Sequence, residues 1–276
     1  MPRVLLSVLG GCVLGAAGCI FQMMFSNPLV EPGFLGVSQG AAFGAAGAIL
    51  FLPASLFWVQ AASTVFALTG LFFSYWLASR FRFGGWILRL ILAGIAVSAL
   101  FASAIGLLKY LADPVNQLPA ITFWLLGSLA ESSWTRFWSI FPLTIIPLAV
   151  LLAFRWKVNI LSLQDRTAFS LGSRPHREKL LLLFCATAPV AAVISISGLI
   201  GWVGLIVPHL ARRFLSTDVR SCLPGSMLIG SIYLLVSDTL ARTLYAGEIP
   251  LGILTSAAGA LLFILILTRK HAGESL

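Results

Sequence analysis

Charge is scarce in this 276-residue chain: 10% of its residues are Asp, Glu, Lys or Arg, and nine acids stand against eighteen bases. Soluble domains carry about 25% charged residues, so water is excluded as the main solvent of the folded chain. The four cysteines, Cys12, Cys19, Cys185 and Cys222, form no CxxC pair, and the first two lie in an apolar run. They read as small packing residues, which excludes a disulfide frame or a metal ribbon. No GxxxxGK[ST] loop occurs, so the chain itself cradles no nucleotide phosphates. No soluble domain follows the first apolar segment, which therefore reads as a span and not as a cleaved leader. The net charge of +9 does not make a nucleic-acid reader, because the bases lie in gaps between apolar segments and not on one solvated face.

What is abundant is apolar length. Hydrophobic residues make up 59% of the chain, and the mean hydropathy is +1.00. A bilayer-spanning helix needs about 20 mostly apolar residues. Eight such windows occur: Val4 to Phe25, Phe34 to Leu52, Leu56 to Leu77, Trp86 to Leu111, Phe137 to Phe154, Leu180 to Ser197, Leu223 to Tyr245 and Leu251 to Thr268. Two shorter apolar stretches, Leu118 to Leu129 and Leu199 to Leu210, fall between them. The reading is a single domain over residues 1–276, an all-α polytopic transmembrane bundle.

The bases decide whether the second short stretch crosses. If it does, Arg80, Arg82 and Arg89, the six bases between Arg155 and Lys179, then Arg212, Arg213 and Arg220, then Arg269 and Lys270 share one side, 14 of the 18 bases. Arg3, Lys109 and Arg136 face the other side, with Arg242 in a span near it. By the positive-inside rule the rich side is cytoplasmic. The count is then nine crossings, with Leu199 to Leu210 a broken or half-length one of the kind transporters place along a cavity.

Several residues stand out within this frame. Gly36, Gly40 and Gly44 recur every four residues, as do Gly11 and Gly15, and small faces let helices approach closely in lipid. Asp238 and Arg242 are four apart in an apolar run and are placed to neutralise each other, or Arg242 reaches the outer surface to meet an acidic partner. The polar stretch Arg155 to Lys179 contains Leu161, Ala168 and Leu171 with Gly172 as a C-cap, the pattern of short helices outside the membrane that offer a knob to a soluble partner. His209 follows Pro208 near the end of the short crossing. With no second ligand nearby it reads as a helix-end residue and not as a metal site.

Four sequence elements carry a resemblance. Asn27-Pro28-Leu29-Val30-Glu31-Pro32-Gly33-Phe34-Leu35-Gly36-Val37-Ser38-Gln39-Gly40-Ala41 resembles the NPLAEPGLLGVSxGA signature of the FecCD permeases, importers of iron–siderophore, haem and cobalamin complexes. Gly198-Leu199-Ile200-Gly201-Trp202-Val203-Gly204-Leu205-Ile206-Val207-Pro208-His209 resembles GPIGFVGLIVPH, Leu234 to Arg242 resembles LLLADxxAR, and Glu248-Ile249-Pro250-Leu251-Gly252 resembles ELPxG. The resemblance implies a ten-helix permease of the bacterial or archaeal cytoplasmic membrane, with a further helix preceding Met1. It implies a homodimer, two ATP-binding subunits that use ATP and Mg, and an extracytoplasmic substrate-binding protein, this chain holding no cofactor or metal. Residue by residue, Leu163, Asp165, Arg166, Ala168 and Gly172 fall on the ATPase-coupling segment, with Gln164-Asp165 where Gly-Glu is usual. Arg3 and Arg242 match arginines that dock the binding protein. Trp86, Ile87 and Leu88 stand at the inner gate, bulkier than the small polar residues usual there. An ion-coupled secondary transporter is the alternative, and it would carry its own coupling site at mid-membrane.

Overall fold

The computed structural model describes residues 1–271, without the side chains of Leu267 and residues 269–271. The expectations for Arg269 and Lys270, and the domain's last residues 272–276, lie outside what is described. Eleven α-helices follow in order among the described residues: α1 Pro2–Met24, α2 Val37–Phe51, α3 Leu56–Arg80, α4 Trp86–Leu111, α5 Gln117–Leu126, α6 Trp134–Leu161, α7 Asp165–Ser170, α8 Pro175–Ser197, α9 Val203–Phe214, α10 Val219–Thr243 and α11 Leu251–His271. A 3-10 turn, Pro32–Leu35, precedes α2. Local chemistry sets several boundaries. Pro2 and Pro175 open α1 and α8, where a missing N–H costs nothing. Ser55, Ser133 and Asp218 cap α3, α6 and α10 by accepting from Phe57, Arg136 and Arg220 backbone N–H groups.

Six helices, α1, α3, α4, α6, α8 and α10, are long and apolar enough to cross a membrane. Helices α1 and α8 form the centre, with 78% of their most apolar windows buried, against 17% for α3 and 28% for α4. The outer helices therefore turn apolar side chains such as Phe72, Leu100 and Ile146 outward, as expected where lipid is the solvent.

Three boundaries differ from the sequence reading. The span placed at Phe34 to Leu52 contains only the 15-residue α2, because the Glu31–Gly36 segment is spent on the 3-10 turn. Gly36 has φ +78 and serves as the N-cap of α2, so the glycine face begins at Gly40 and not at Gly36. The helix expected at the second short stretch is displaced toward Arg212. Residues 198–202 are irregular, with Gly198 at φ +67 and Trp202 at φ +70, and the helix starts at Val203. The polar stretch 155–179 is largely helical, because α6 runs to Leu161 and α8 starts at Pro175, leaving one short helix, α7.

Close backbone approach welds the helices. A Cβ built on Gly11 would lie 2.5 Å from the carbonyl carbon of Gly230 on α10, and on Gly40 it would lie 3.0 Å from that of Phe66 on α3. Gly15 meets the Ser226 carbonyl and Gly18 the Gly204 carbonyl, so α1 lies against both α10 and α9. Cys19 and Cys222 sit in the first of these seams as free thiols, 3.5 Å apart and buried.

Candidate functional site

The polar chemistry gathers at the two ends of the bundle and at the break between α8 and α9. At the end where α1 begins, Arg3 is clamped by two acids. Its Nε donates to Asp238 Oδ1 at 2.9 Å, and its Nη1 and Nη2 donate to the two oxygens of Glu248 at 3.0 Å each. Asp238 is fully buried, and its nearest contact with Arg242 is 3.8 Å. The expected i,i+4 neutralisation is thus subordinate to a partner 235 residues away, which no local pattern reveals. Arg3 and Glu248 meet as a bidentate fork, the strong geometry for such a pair. The Arg3 guanidinium holds the Glu248 carboxyl below its ordinary value of 4.5. Arg3 is 17% exposed and saturated, whereas Arg242 is 38% exposed. Of the two arginines assigned to docking, Arg242 presents the more open cation, while Arg3 acts as a staple between α1, α10 and the turn before α11.

Beside this cluster, a cavity of about 520 Å³ is lined by Trp124, Glu131, Arg136, Ser197, Gly198 and Glu248, among others. The Ser128 N–H donates to the Ser197 carbonyl at 2.7 Å and the Leu251 N–H to the Gly127 carbonyl at 2.8 Å. These bonds knot the end of α5, the end of α8 and the start of α11.

At the break, Pro208 has no N–H for the carbonyl four residues back, Gly204. Gln22 of α1 supplies the donor instead, its Nε2 reaching the Gly204 carbonyl at 3.3 Å and that of Leu205 at 3.0 Å. Gln22 Oε1 in turn accepts from Arg212 Nη2. The motif residues close around this joint. Pro32 Cδ lies 3.2 Å from where a Cβ on Gly204 would sit, and Glu31 accepts from the Trp202 backbone N–H. Asn27 Oδ1 accepts from the Leu29 N–H, and Asn27 and Pro28 line a cavity of about 280 Å³ with Gln22 and Arg212. His209 is half-buried on α9. Among the described residues no group of three or more His, Cys, Asp or Glu could hold a metal ion. Gln22 was not singled out from sequence, Glu31 was read only as part of the first motif, and Arg212 only as a topology charge. Only the Pro208-to-Gly204 spacing hinted that a donor had to come from elsewhere.

At the opposite, base-rich end, α7 projects between α6 and α8. Gly172, at φ +82, closes it: the Ser173 N–H reaches the Ala168 carbonyl at 3.1 Å and the Gly172 N–H that of Phe169 at 3.0 Å. This is a Schellman cap. Leu163, Asp165, Arg166 and Gly172 are exposed, but Ala168 is fully buried. Ala168, placed on the coupling segment from sequence, is the foot of the knob and not its outward surface. The outward apolar groups are Leu163, Phe169 at 71% exposure, and Leu171. Lys179 Nζ donates to Asp165 Oδ1 at 2.7 Å, and Asn159 Nδ2 donates to Asp218 at 2.7 Å, joining α6 to the cap of α10. The Arg220 N–H and the Asn159 amide hold the Asp218 carboxyl below its ordinary value of 3.8.

Nearby, Trp86 and Ile87 are half-buried and Leu88 is exposed. Trp86 packs edge-on against His176, with ring centroids 6.1 Å apart, and His176 Nε2 lies 3.4 Å from the Tyr75 hydroxyl. Arg89 Nη1 donates to the Phe81 carbonyl at 2.9 Å. The three expected gate residues thus open α4 beneath an aromatic cluster.

The sequence profile of the FecCD transport family matches residues 1–269. The molybdate import permease MolB of Haemophilus influenzae is 38% identical over 274 residues, covering 99% of this chain and 81% of that protein. The hemin transport permease HmuU of Yersinia pestis is 41% identical over 285 residues, covering 100% and 83%. A solved structure described as an inward-facing metal-chelate type ABC transporter is 37% identical, with a TM-score of 0.92 over 97% of this chain and 85% of that one.

Proposed function

The chain belongs to the FecCD transport family, and on that basis we propose that it is the permease of an importer that carries a metal chelate into the cytoplasm by alternating access. It is a multi-pass membrane permease of the ABC type, a transport component and not an enzyme. The cargo class extends from relatives named for haem and iron chelate. The base-rich end is cytoplasmic in this reading, and the nine crossings are α1, α2, α3, α4, α6, α8, α9, α10 and α11. The membrane is the bacterial or archaeal inner membrane.

The observation that carries the proposal is α7. A six-residue helix braced at its buried foot and apolar on its outward side is built to be gripped, and apolar area at the centre of an interface supplies most of its affinity. The occupant is the ATP-binding subunit, which turns over ATP with Mg²⁺. A second copy of this chain completes the pathway, with Trp86, Ile87 and Leu88 at its inner mouth. At the outer end Arg242 meets acidic groups of the binding protein. The ion-coupled alternative is not favoured: Asp238 is consumed by Arg3 and offers no open coupling site.

Proteoliposomes holding the permease and its ATP-binding subunit test the reading, with haem as the first cargo and a ferric hydroxamate as the second. Uptake is expected only with ATP and both subunits. Uptake driven by a proton or sodium gradient in the absence of ATP would overturn it.

A further inference from the structure

Helix α8 opens with an acid and a base side by side, and they reach in different directions. Glu178 Oε1 accepts from Lys157 Nζ of α6 at 2.8 Å, and Lys179 Nζ donates to Asp165 Oδ1 of α7 at 2.7 Å. The second pair is lopsided: the Lys179 side chain is 6% exposed and that of Asp165 65%. A buried ammonium is costly without a partner, so Lys179 holds Asp165, and α7 with it, in one position. The covalent link between α7 and α8 is weaker as a brace. It comprises residues 171–174 and includes Gly172, where nothing lies within 4 Å of a built Cβ. With Ala168 as its buried foot, α7 would pivot if the ion pair were cut.

The other end of α8 is also tied. Ser197 is bonded to Ser128 at 2.7 Å, and a Cβ on Gly198 would lie 3.0 Å from Gly127 Cα. A Cβ on Gly252 would lie 2.7 Å from the Leu199 carbonyl oxygen, so the start of α11 belongs to the same knot. Between Lys179 and Ser197 α8 runs 19 residues, with Pro189 inside it, about 27 Å at 1.5 Å per residue.

We propose that α8 is the rod that carries displacement of α7 to the α5–α8–α11 knot, and that Lys179 is the positioning residue that makes α7 and α8 move together. The proposal rests on the reading of α7 as the docking helix. In a closing subunit's grip, Asp165 would be covered as well, which strengthens the pair by removing water from it.

The experiment uses the reconstituted complex of permease and ATP-binding subunit, in a background with the native cysteines replaced, and a bimane label at Ser170→Cys on α7 or at Ala130→Cys beside the knot. In the parent, ADP with vanadate should change emission at both positions. In Lys179→Met the response at 170 should persist while that at 130 falls at least five-fold, and Lys179→Arg should restore it. Asp165→Asn, assayed in parallel, serves if Lys179→Met does not fold, and the same loss at 130 is expected. An undiminished response at 130 in either variant overturns the rod. No nucleotide response at 170 in the parent overturns the docking reading itself, and the proposal with it.

Discussion

Replacing Gly11 by Ala adds one methyl group at the tightest kind of contact in the bundle. Its Cβ would lie 2.5 Å from the Gly230 carbonyl carbon and 2.9 Å from Ser231 Cα, both backbone atoms of α10. Non-bonded carbons rest at about 3.5–4.0 Å, so α1 and α10 must separate by about 1 Å, and neither can yield by a rotamer change. A gap of that size forfeits roughly a quarter to a half of each dispersion contact it opens, and overpacking of this kind costs about 1–3 kcal/mol. Gly47→Ala is the control: Gly47 is also helical, and nothing lies within 4 Å of its built Cβ. Helix propensity favours Ala over Gly by up to about 1 kcal/mol, so the control should be neutral or stabilised. Thermal unfolding in detergent, followed with a thiol-reactive dye, reads the seam directly because Cys19 and Cys222 are buried within it. Gly11→Ala should lower the midpoint by about 5 °C relative to Gly47→Ala. Midpoints that agree to within about 1 °C would refute the claim that backbone contact holds these helices together.

Arg3→Ala should destabilise by up to about 3–5 kcal/mol, since it leaves the buried Asp238 with only the 3.8 Å contact to Arg242, whereas Arg242→Ala should cost less than about 1 kcal/mol; thermal unfolding of both variants decides. Glu248 is held below its ordinary 4.5 by Arg3, so its contribution is present above pH 4.5 and lost as pH falls through the lower folded value. Glu248→Gln should flatten that acid limb of the stability curve, and an unchanged limb would show that the pair adds nothing. Phe169→Glu should leave the fold intact but weaken retention of the ATP-binding subunit about tenfold or more. Ala168→Arg should instead disrupt the seating of α7, measured as lost thermal stability before any partner is added.

The long helices were legible because apolar length is a one-dimensional signal, and α4 begins and ends at the residues where hydropathy placed it. Charge asked for Arg212 and Arg213 to return to the base-rich side, and in the proposed topology the 12-residue α9 is the half-length crossing that does so. What periodicity missed was decided by distant partners. Six residues cannot fix which face of α7 is inward, and Ala168 is foot and not crown because α6 and α8 flank it. Asp238 has a neighbour of opposite sign one turn away, but the stronger claim comes from Arg3 at the other end of the sequence. Gly36 keeps the four-residue spacing of a helical face, yet its φ of +78 makes it a cap, a choice set by the Glu31–Leu35 turn before it.

These distant pairings bear on where the driving force enters. Within lipid polar groups are satisfied internally, and here that rule takes up Gln22, Glu31 and Asp238, while Ser63 Oγ and Arg212 Nη1 are buried without a hydrogen-bond partner. Gln22 is spent on the carbonyl that Pro208 leaves open, Glu31 faces the Trp202 N–H, and Asp238 takes Arg3. A gradient-coupled carrier needs an interior group free to exchange its ion, but these groups are consumed in holding breaks and helix ends together. Groups open to outside partners lie at the ends, Arg242 at one and the apolar crown of α7 at the other. A permease arranged this way responds to forces applied at its surfaces. In the proposed reading the two tied ends of α8, with Pro189 between them, give such a force its path, and residues 198–202, between α8 and α9, carry no regular helix.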